Sequence, residues 1–234
     1  CVIHRRDYQN TSLLLELFTP HEGRLPAIAK GAKSGRAGRA ALLQPFTPLL
    51  VSVRGRGEIK QLLKVEADGR PHTLQGERLY CGFYLNELLM RLLERTDPYP
   101  RLYDYYTEAL ERLAGALSPD QALRNFEVQL LQELGYGLLL DQTADTGEAV
   151  IPEQRYHYEI EQGPLVLSKG TQEQSIHGRT LLCLHNREPL DRQASNEAKR
   201  LLRRVLAFYL GDKPLKSREL FRLSLIHISR AHET

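Results

Sequence analysis

Cysteine is scarce in this 234-residue chain, and tryptophan is absent. The three cysteines, Cys1, Cys81 and Cys183, are odd in number and far apart in sequence. That spacing excludes a disulfide framework and matches a reducing cytoplasm. No C-x-x-C pair occurs, and His157, His177 and His185 are scattered, so the clustered ligands of a zinc site are missing and no metal or other cofactor is expected. No run approaches the roughly 18 to 20 apolar residues that span a bilayer, and no secretory signal is visible. Lys33-Ser34 sits in a glycine-rich loop, but Ala32 stands where a phosphate-binding loop requires glycine. Gly55-Arg56-Gly57 lacks the third glycine of a dinucleotide fingerprint and reads as a turn. There is no nucleophile elbow, and the basic regions hold no carboxylate cluster of the kind a nuclease needs. These absences point to a binding protein rather than an enzyme.

What is present is positive charge, unevenly spread. Residues 1–80 hold 13 Lys and Arg against 7 Asp and Glu, residues 81–198 hold 10 against 19, and residues 199–234 hold 9 against 3. Two basic ends therefore flank an acidic middle, behind a formal net charge of only +3. The first basic end contains Ala29-Lys30-Gly31-Ala32-Lys33-Ser34-Gly35-Arg36-Ala37-Gly38-Arg39, a glycine-punctuated stretch with no acidic residue. Concentrated like charge on such a loop suits phosphate, hence nucleic acid, with a solvated surface as the plain alternative. With tryptophan missing and only Tyr8, Phe18 and Phe46 as early aromatics, contacts to the nucleic-acid backbone are favoured over base stacking. Phe46, flanked by apolar residues, reads as core.

Hydrophobic periodicity divides the chain. Leu13, Leu15 and Leu17 alternate within Ser12–Thr19, a period-two strand, and His21-Glu22-Gly23 turns into a second strand over Arg24–Ala29. Further strands are predicted over Thr47–Val53 and Glu58–Val65, the last with Ile59, Leu63 and Val65 on one face and Lys60 and Lys64 on the other. Short strands with glycine turns suggest a small barrel. Beyond residue 78 the spacing becomes helical: Leu79, Phe83, Met90 and Leu93 form one stripe, and Leu102, Tyr106, Ala109 and Leu113 a second. Ser118-Pro119-Asp120-Gln121 reads as a capped start of a helix carrying Leu123, Phe126, Leu130 and Leu134, ended by Gly135. A hairpin is expected over Arg155–Ser168, turning at Gln162-Gly163, and a last helix from near Ser195 to Leu210. Its apolar stripe is Leu201, Leu202, Val205 and Phe208, with Lys199, Arg200, Arg203 and Arg204 facing away from it.

Several short stretches carry a family likeness through their order and spacing. They include Ala29-Lys30-Gly31-Ala32, Leu43-Gln44-Pro45-Phe46-Thr47-Pro48-Leu49, Gly55-Arg56-Gly57-Glu58, Leu85-Asn86-Glu87-Leu88-Leu89, Leu134-Gly135-Tyr136-Gly137 and Lys213-Pro214-Leu215-Lys216-Ser217-Arg218-Glu219-Leu220-Phe221. Over nearly its whole length the chain resembles the RecO family of bacterial recombination mediators. The resemblance implies an α+β protein: an N-terminal OB-fold barrel over 1–78 and a mainly helical C-terminal domain with a small β-hairpin over 79–223. It further implies binding of single- and double-stranded DNA, annealing of complementary strands, and contact with the tail of the single-strand-binding protein SSB and with RecR, so that RecA is loaded. A monomer in the cytoplasm, without a membrane segment and without the four-cysteine zinc module of some relatives, is expected. The family's first strand begins before Cys1, so an unpaired barrel edge is expected, and 224–234 departs from the family's basic tail and is assigned no function.

On this reading the candidate DNA contacts are Lys30, Lys33, Arg36, Arg39, Arg54, Arg56 and Lys60 in the barrel, with Lys199, Arg200, Arg203, Arg204, Lys213, Lys216 and Arg218 as a second surface. Arg112 and Arg124, with Leu123 and Phe126, are the candidates for the SSB tail, because a carboxylate-bearing peptide seeks a guanidinium beside an apolar pocket. The plainer alternative for both arginines is pairing with Glu108 or Glu127. The competing class is an adaptor whose basic surfaces hold acidic peptides rather than DNA, and the salt dependence of DNA binding separates the two.

Overall fold

Alternating leucines build the first sheet of the protein. A computed structural model describes residues 1–34, 38–116, 118–167 and 175–221. In β2 (Ser12–Thr19), Leu13, Leu15 and Leu17 are buried on one face, as their period-two spacing predicts. β1 (Val2–Tyr8) and β3 (Gly23–Ala29) pair antiparallel on either side of it. Gly23 makes the turn at φ 61°, and a Cβ there would lie 1.8 Å from the carbonyl oxygen of Asp97, which no side chain tolerates. A short helix, α1 (Gly38–Leu42), precedes the hairpin of β4 (Leu49–Arg54) and β5 (Lys60–Ala67). β5 joins β3 in parallel, so the order is β1-β2-β3-β5-β4. This is the strand order of an OB-type sheet opened between β1 and β4. Those two strands share no ladder among the described residues, and the isolated bridge from Val2 to Pro45 marks the seam.

The expected faces of β5 need correcting. The register slips between Ser52 and Val53, where Val53 pairs with Leu62 but Ser52 pairs with Lys64. Leu63 is the extra residue of this bulge. Leu62 is therefore the core residue, 2% exposed, whereas Leu63 and Ile59 are both 47% exposed.

Two helices pack on the sheet, one against β1 and the other against β2. In α3 (Pro100–Ala114), Leu102, Tyr106, Ala109 and Leu113 form the expected buried stripe. Phe18, on the face of β2 opposite the leucines, packs against Tyr103 and Tyr106 with ring centres 5.5 and 5.8 Å away. In α2 (Glu77–Leu92) the buried stripe is instead Cys81, Tyr84, Leu85, Leu88 and Leu89. The rotation follows from Gly82, where a Cβ would lie 2.6 Å from Leu74 and 2.9 Å from Phe46. That close approach leaves Phe83 at the rim, its ring 5.3 Å from that of Phe46. Residues 1–116 and the C-terminal segment from Pro214 form one compact unit.

Residues 117–213 form the other. Its centre is α4 (Pro119–Glu133), buried on nearly every side from Ala122 to Leu131. Ser118 makes no side-chain cap; Gln121 turns to Asn125, to the carbonyl of Glu188 and to the amide of Leu190. The expected hairpin is present as β6 (Arg155–Glu159) and β7 (Gly163–Val166), and β8 (Ser175–His177) pairs on the far side of β6. α5 (Gly178–Asn186) and α6 (Arg192–Leu210) follow. Asp191 starts α6 by accepting from the amide of Ala194 at 2.8 Å, and Gly211 stops it at φ 68°. No described helix is long and apolar enough to cross a membrane. Segment 224–234 lies outside the described residues.

Candidate nucleic-acid interface

The bulge that turns Leu63 outward also sets the cations of the first unit. Ser52 pairs with Lys64 and Arg54 with Gln61, and all four are exposed. Arg54 and Lys64 therefore share the outer face of the β4–β5 hairpin, with Arg56 exposed at its tip and Lys60 half-buried at the start of β5. None of these four makes an ion pair among the described residues. Sequence pattern marks Lys64 only as a polar strand residue; its position opposite Ser52, next to Arg54, is what places it in the patch. Exposed Leu50 and Leu63 lie on the same hairpin.

The loop cations divide. Lys30 is exposed. Lys33 is exposed but pairs with Asp7 at 2.7 Å. Arg36 lies outside the described residues. Arg39 is half-buried and donates from Nη2 to the carbonyls of Leu62 and Leu63, at 3.2 and 3.3 Å, so it braces the bulge. Of the early aromatics, Phe18 and Phe46 are core residues and Tyr8 is at the surface.

In the second unit, Arg200 and Arg203 are exposed on α6. Lys199 lies 3.8 Å from Asp120, and Arg204 donates to the carbonyl of Tyr158 at 2.7 Å. A cleft of about 300 Å³ runs beside α6, with Leu201, Ile176 and Tyr158 lining it and Arg200, Arg203 and Arg204 among its walls. Glu197 also lines it. Its buried carboxylate accepts from His177 Nδ1 at 2.7 Å, the His177 amide at 3.0 Å, Thr180 Oγ1 at 2.7 Å and Gln193 at 3.3 Å. Burial pushes this carboxyl upward, but the hydrogen bonds outweigh it and hold the group below its ordinary value of 4.5. Arg155 donates to His177 Nε2 at 2.9 Å, which ties β6 into the same network. Among the described residues no three metal-ligating side chains come together, and the three cysteines are buried free thiols.

Two family models match, recombination protein O N terminal over residues 1–68 and recombination protein O C terminal over 74–219. The chain belongs to the RecO family. Among curated relatives, the DNA repair protein RecO of Methylococcus capsulatus is 53% identical, covering 95% of this chain and 91% of its own length. That of Nitrosococcus oceani is 47% identical over 99% and 96%, and that of Alkalilimnicola ehrlichii 47% over 94% and 88%. The protein is thus a member of a DNA repair and recombination family.

The RecO-like stretches meet in space within the first unit. Asn86 accepts from the buried Tyr106 hydroxyl at 2.6 Å. Next to it, Glu87 accepts from the amides of Lys216 and Ser217 at 2.9 and 2.8 Å. Glu87 thereby caps the helical turn at 216–221. Lys216 is exposed, and Arg218 reaches over the Tyr84 ring, 5.5 Å from its centre. Both belong to the first unit, while Lys213 ends the second, the unit that holds α6. The candidates for the SSB tail are likewise divided. Arg112, in the first unit, is held by Glu108 at 2.7 Å. Arg124, in the second, is 4% exposed and pairs with Glu127 at 2.9 Å, and Phe126 is buried beside it. Amphipathic spacing could not reveal this, because α4 buries its polar residues as well as its apolar ones.

Proposed function

We propose that this RecO-family chain is a non-catalytic DNA-binding mediator of the cytoplasm. It binds single- and double-stranded DNA, anneals complementary strands and, with RecR, helps load RecA on SSB-coated DNA. The observation that carries the proposal is the outer face of the β4–β5 hairpin, where Arg54, Arg56 and Lys64 stand exposed without an ion-pair partner among the described residues. Phosphates fit such a face whatever the base sequence, and counterion release makes the affinity fall steeply with salt. Strands neutralised in this way approach each other with less repulsion, so annealing requires neither nucleotide nor metal. Arg200 and Arg203 supply a second positive face for the second strand.

The same two arginines suit the SSB tail better than Arg112 or Arg124 does. The α6 cleft offers an apolar lining of Leu201 and Ile176 beside open guanidiniums, the combination that an acidic peptide with an apolar end requires.

The deciding experiment is annealing of SSB-coated complementary oligonucleotides in EDTA without ATP. Annealing at the rate seen with magnesium supports the mediator. Loss of annealing on chelation, or DNA affinity independent of salt, refutes it in favour of a metal-dependent protein or an adaptor for acidic peptides.

A further inference from the structure

The tip of the cationic β4–β5 hairpin carries one carboxylate, Glu58, two positions after Arg56 and exposed. It accepts from Nη1 of Arg95. The other end of that guanidinium, Nη2, donates to Glu16 at 2.7 Å. The two carboxylates differ in kind. Glu16 lies on β2 with its side chain 9% exposed, and Arg24 Nε of β3 stands 3.6 Å away as a second cation. Glu58 is 67% exposed and follows Gly55 and Gly57 in the turn. Arg95 is thus anchored on one side by a buried carboxylate and covered on the other by an exposed one.

The backbone fixes Arg95 where it stands. Beyond the end of α2 the chain bridges to Arg24 of β3 at Arg95, and the amide of Thr96 donates to the Arg24 carbonyl at 2.9 Å. The carbonyl oxygen of Asp97 fills the space that a Cβ at Gly23 would need. Residues 95–97 therefore sit tight on the sheet, and the guanidinium stays with Glu16. Its Nη1 edge meets the tip that carries Arg56, with Arg54 at the base of that tip. A guanidinium takes a phosphate in the same manner as a carboxylate. An exposed ion pair is worth little. A strand already held by Arg54 and Arg56 presents its next phosphate at high effective concentration, so exchange favours the strand.

We infer that Arg95 is a further phosphate-binding residue of the β4–β5 surface, and that Glu58 occupies it in the free protein as the stand-in for a phosphate. Binding exchanges one anion for another on the Nη1 edge: a DNA phosphate enters, Glu58 turns to solvent, and Glu16 keeps Arg95 aimed. The inference rests on the DNA-binding reading and adds to it a residue that composition hides, because Arg95 belongs to the acidic middle of the chain and to neither basic end.

The test titrates an oligothymidylate, over a series of salt concentrations, into the whole protein and its Glu58→Gln, Glu66→Gln, Arg95→Gln and Glu58→Gln/Arg95→Gln variants. Glu66 is the control, an exposed carboxylate on β5 of the same hairpin with no ion pair among the described residues. Glu58→Gln is expected to bind up to about fivefold more tightly than wild type, the worth of an exposed ion pair, and Glu66→Gln to gain clearly less. Arg95→Gln should lower the slope of log affinity against log salt by about 0.7. In its background the gain from Glu58→Gln should shrink to that of Glu66→Gln. The exchange is overturned, and the DNA-binding reading left standing, by any of three results: a Glu58→Gln affinity no higher than that of wild type or of Glu66→Gln, a gain that persists in full without Arg95, or a slope unchanged in Arg95→Gln. A wild type without salt-dependent binding overturns both. Both glutamates are exposed, so the comparison of their variants decides even where Arg95→Gln fails to fold.

Discussion

Glu87 and Ser217 are 130 positions apart, yet the Glu87 carboxylate accepts from both the amide and the hydroxyl of Ser217, at 2.8 and 2.6 Å. The contact closes the C-terminal segment onto α2, where Leu215 is buried and Phe221 packs on Tyr80 with ring centres 6.0 Å apart. A charged acceptor at a helix start also stabilises it through the backbone dipoles.

Replacing Glu87 with alanine should therefore cost about 1.5–3 kcal/mol, the value of a hydrogen bond to a charged group. Thermal unfolding would show a lowered midpoint. Limited proteolysis would show earlier cutting after residue 213. A midpoint equal to that of the wild type would mean that the cap does not hold the segment.

The β4–β5 patch is tested by its salt response. Converting Arg54, Arg56 and Lys64 to alanine should weaken binding to all sequences alike. It should also reduce the slope of log affinity against log salt by about 0.7 for each phosphate left without its cation on single strands. An unchanged slope would remove the hairpin from the interface.

Arg39 should behave differently from Arg54, although residue type and loop position make both candidates for phosphate. Arg39 holds the carbonyls on either side of the β5 bulge. Arg39→Ala should destabilise the first unit by about 1–3 kcal/mol, as expected when partnered polar groups lose a charged donor. Arg54→Ala should leave the denaturant midpoint within about 0.5 kcal/mol of wild type. Equal midpoints for the two variants would contradict the bracing role.

Glu197 makes stability depend on acid. Its carboxyl is held below its ordinary value, so the unfolded chain binds the proton first as pH falls. The contribution is complete above about pH 4.5, declines below it, and is lost as pH passes through the folded-state value. Glu197→Gln keeps the shape and removes the titration. Its unfolding midpoint should be lower than wild type at pH 7 and should converge with it in acid. Parallel curves for the two proteins would assign the acid response to other carboxylates.

Much of the architecture was legible along the chain, because local periodicity survives folding when an element presents one face to one core. The leucines of β2 and the stripe of α3 are such cases. The glycine at 135 and the β6–β7 turn were legible for a similar reason: their backbone requirements are local. The cationic character of the barrel and of α6 was also present in composition alone.

Which cations and rings are available was decided by the tertiary structure. A single bulge sent Leu63 outward and Leu62 inward, against the alternation of the strand. Gly82 rotated α2 so that Tyr84, rather than Phe83, is buried. Enclosure of α4 on nearly every side drew Arg124 and Glu127 into a buried pair, whereas the end of α6 runs past its core and leaves Phe208 in solvent. Residue type and spacing determine what an element can offer. Burial, which depends on distant parts of the chain such as Glu87 and Ser217 coming together, determines what it does offer.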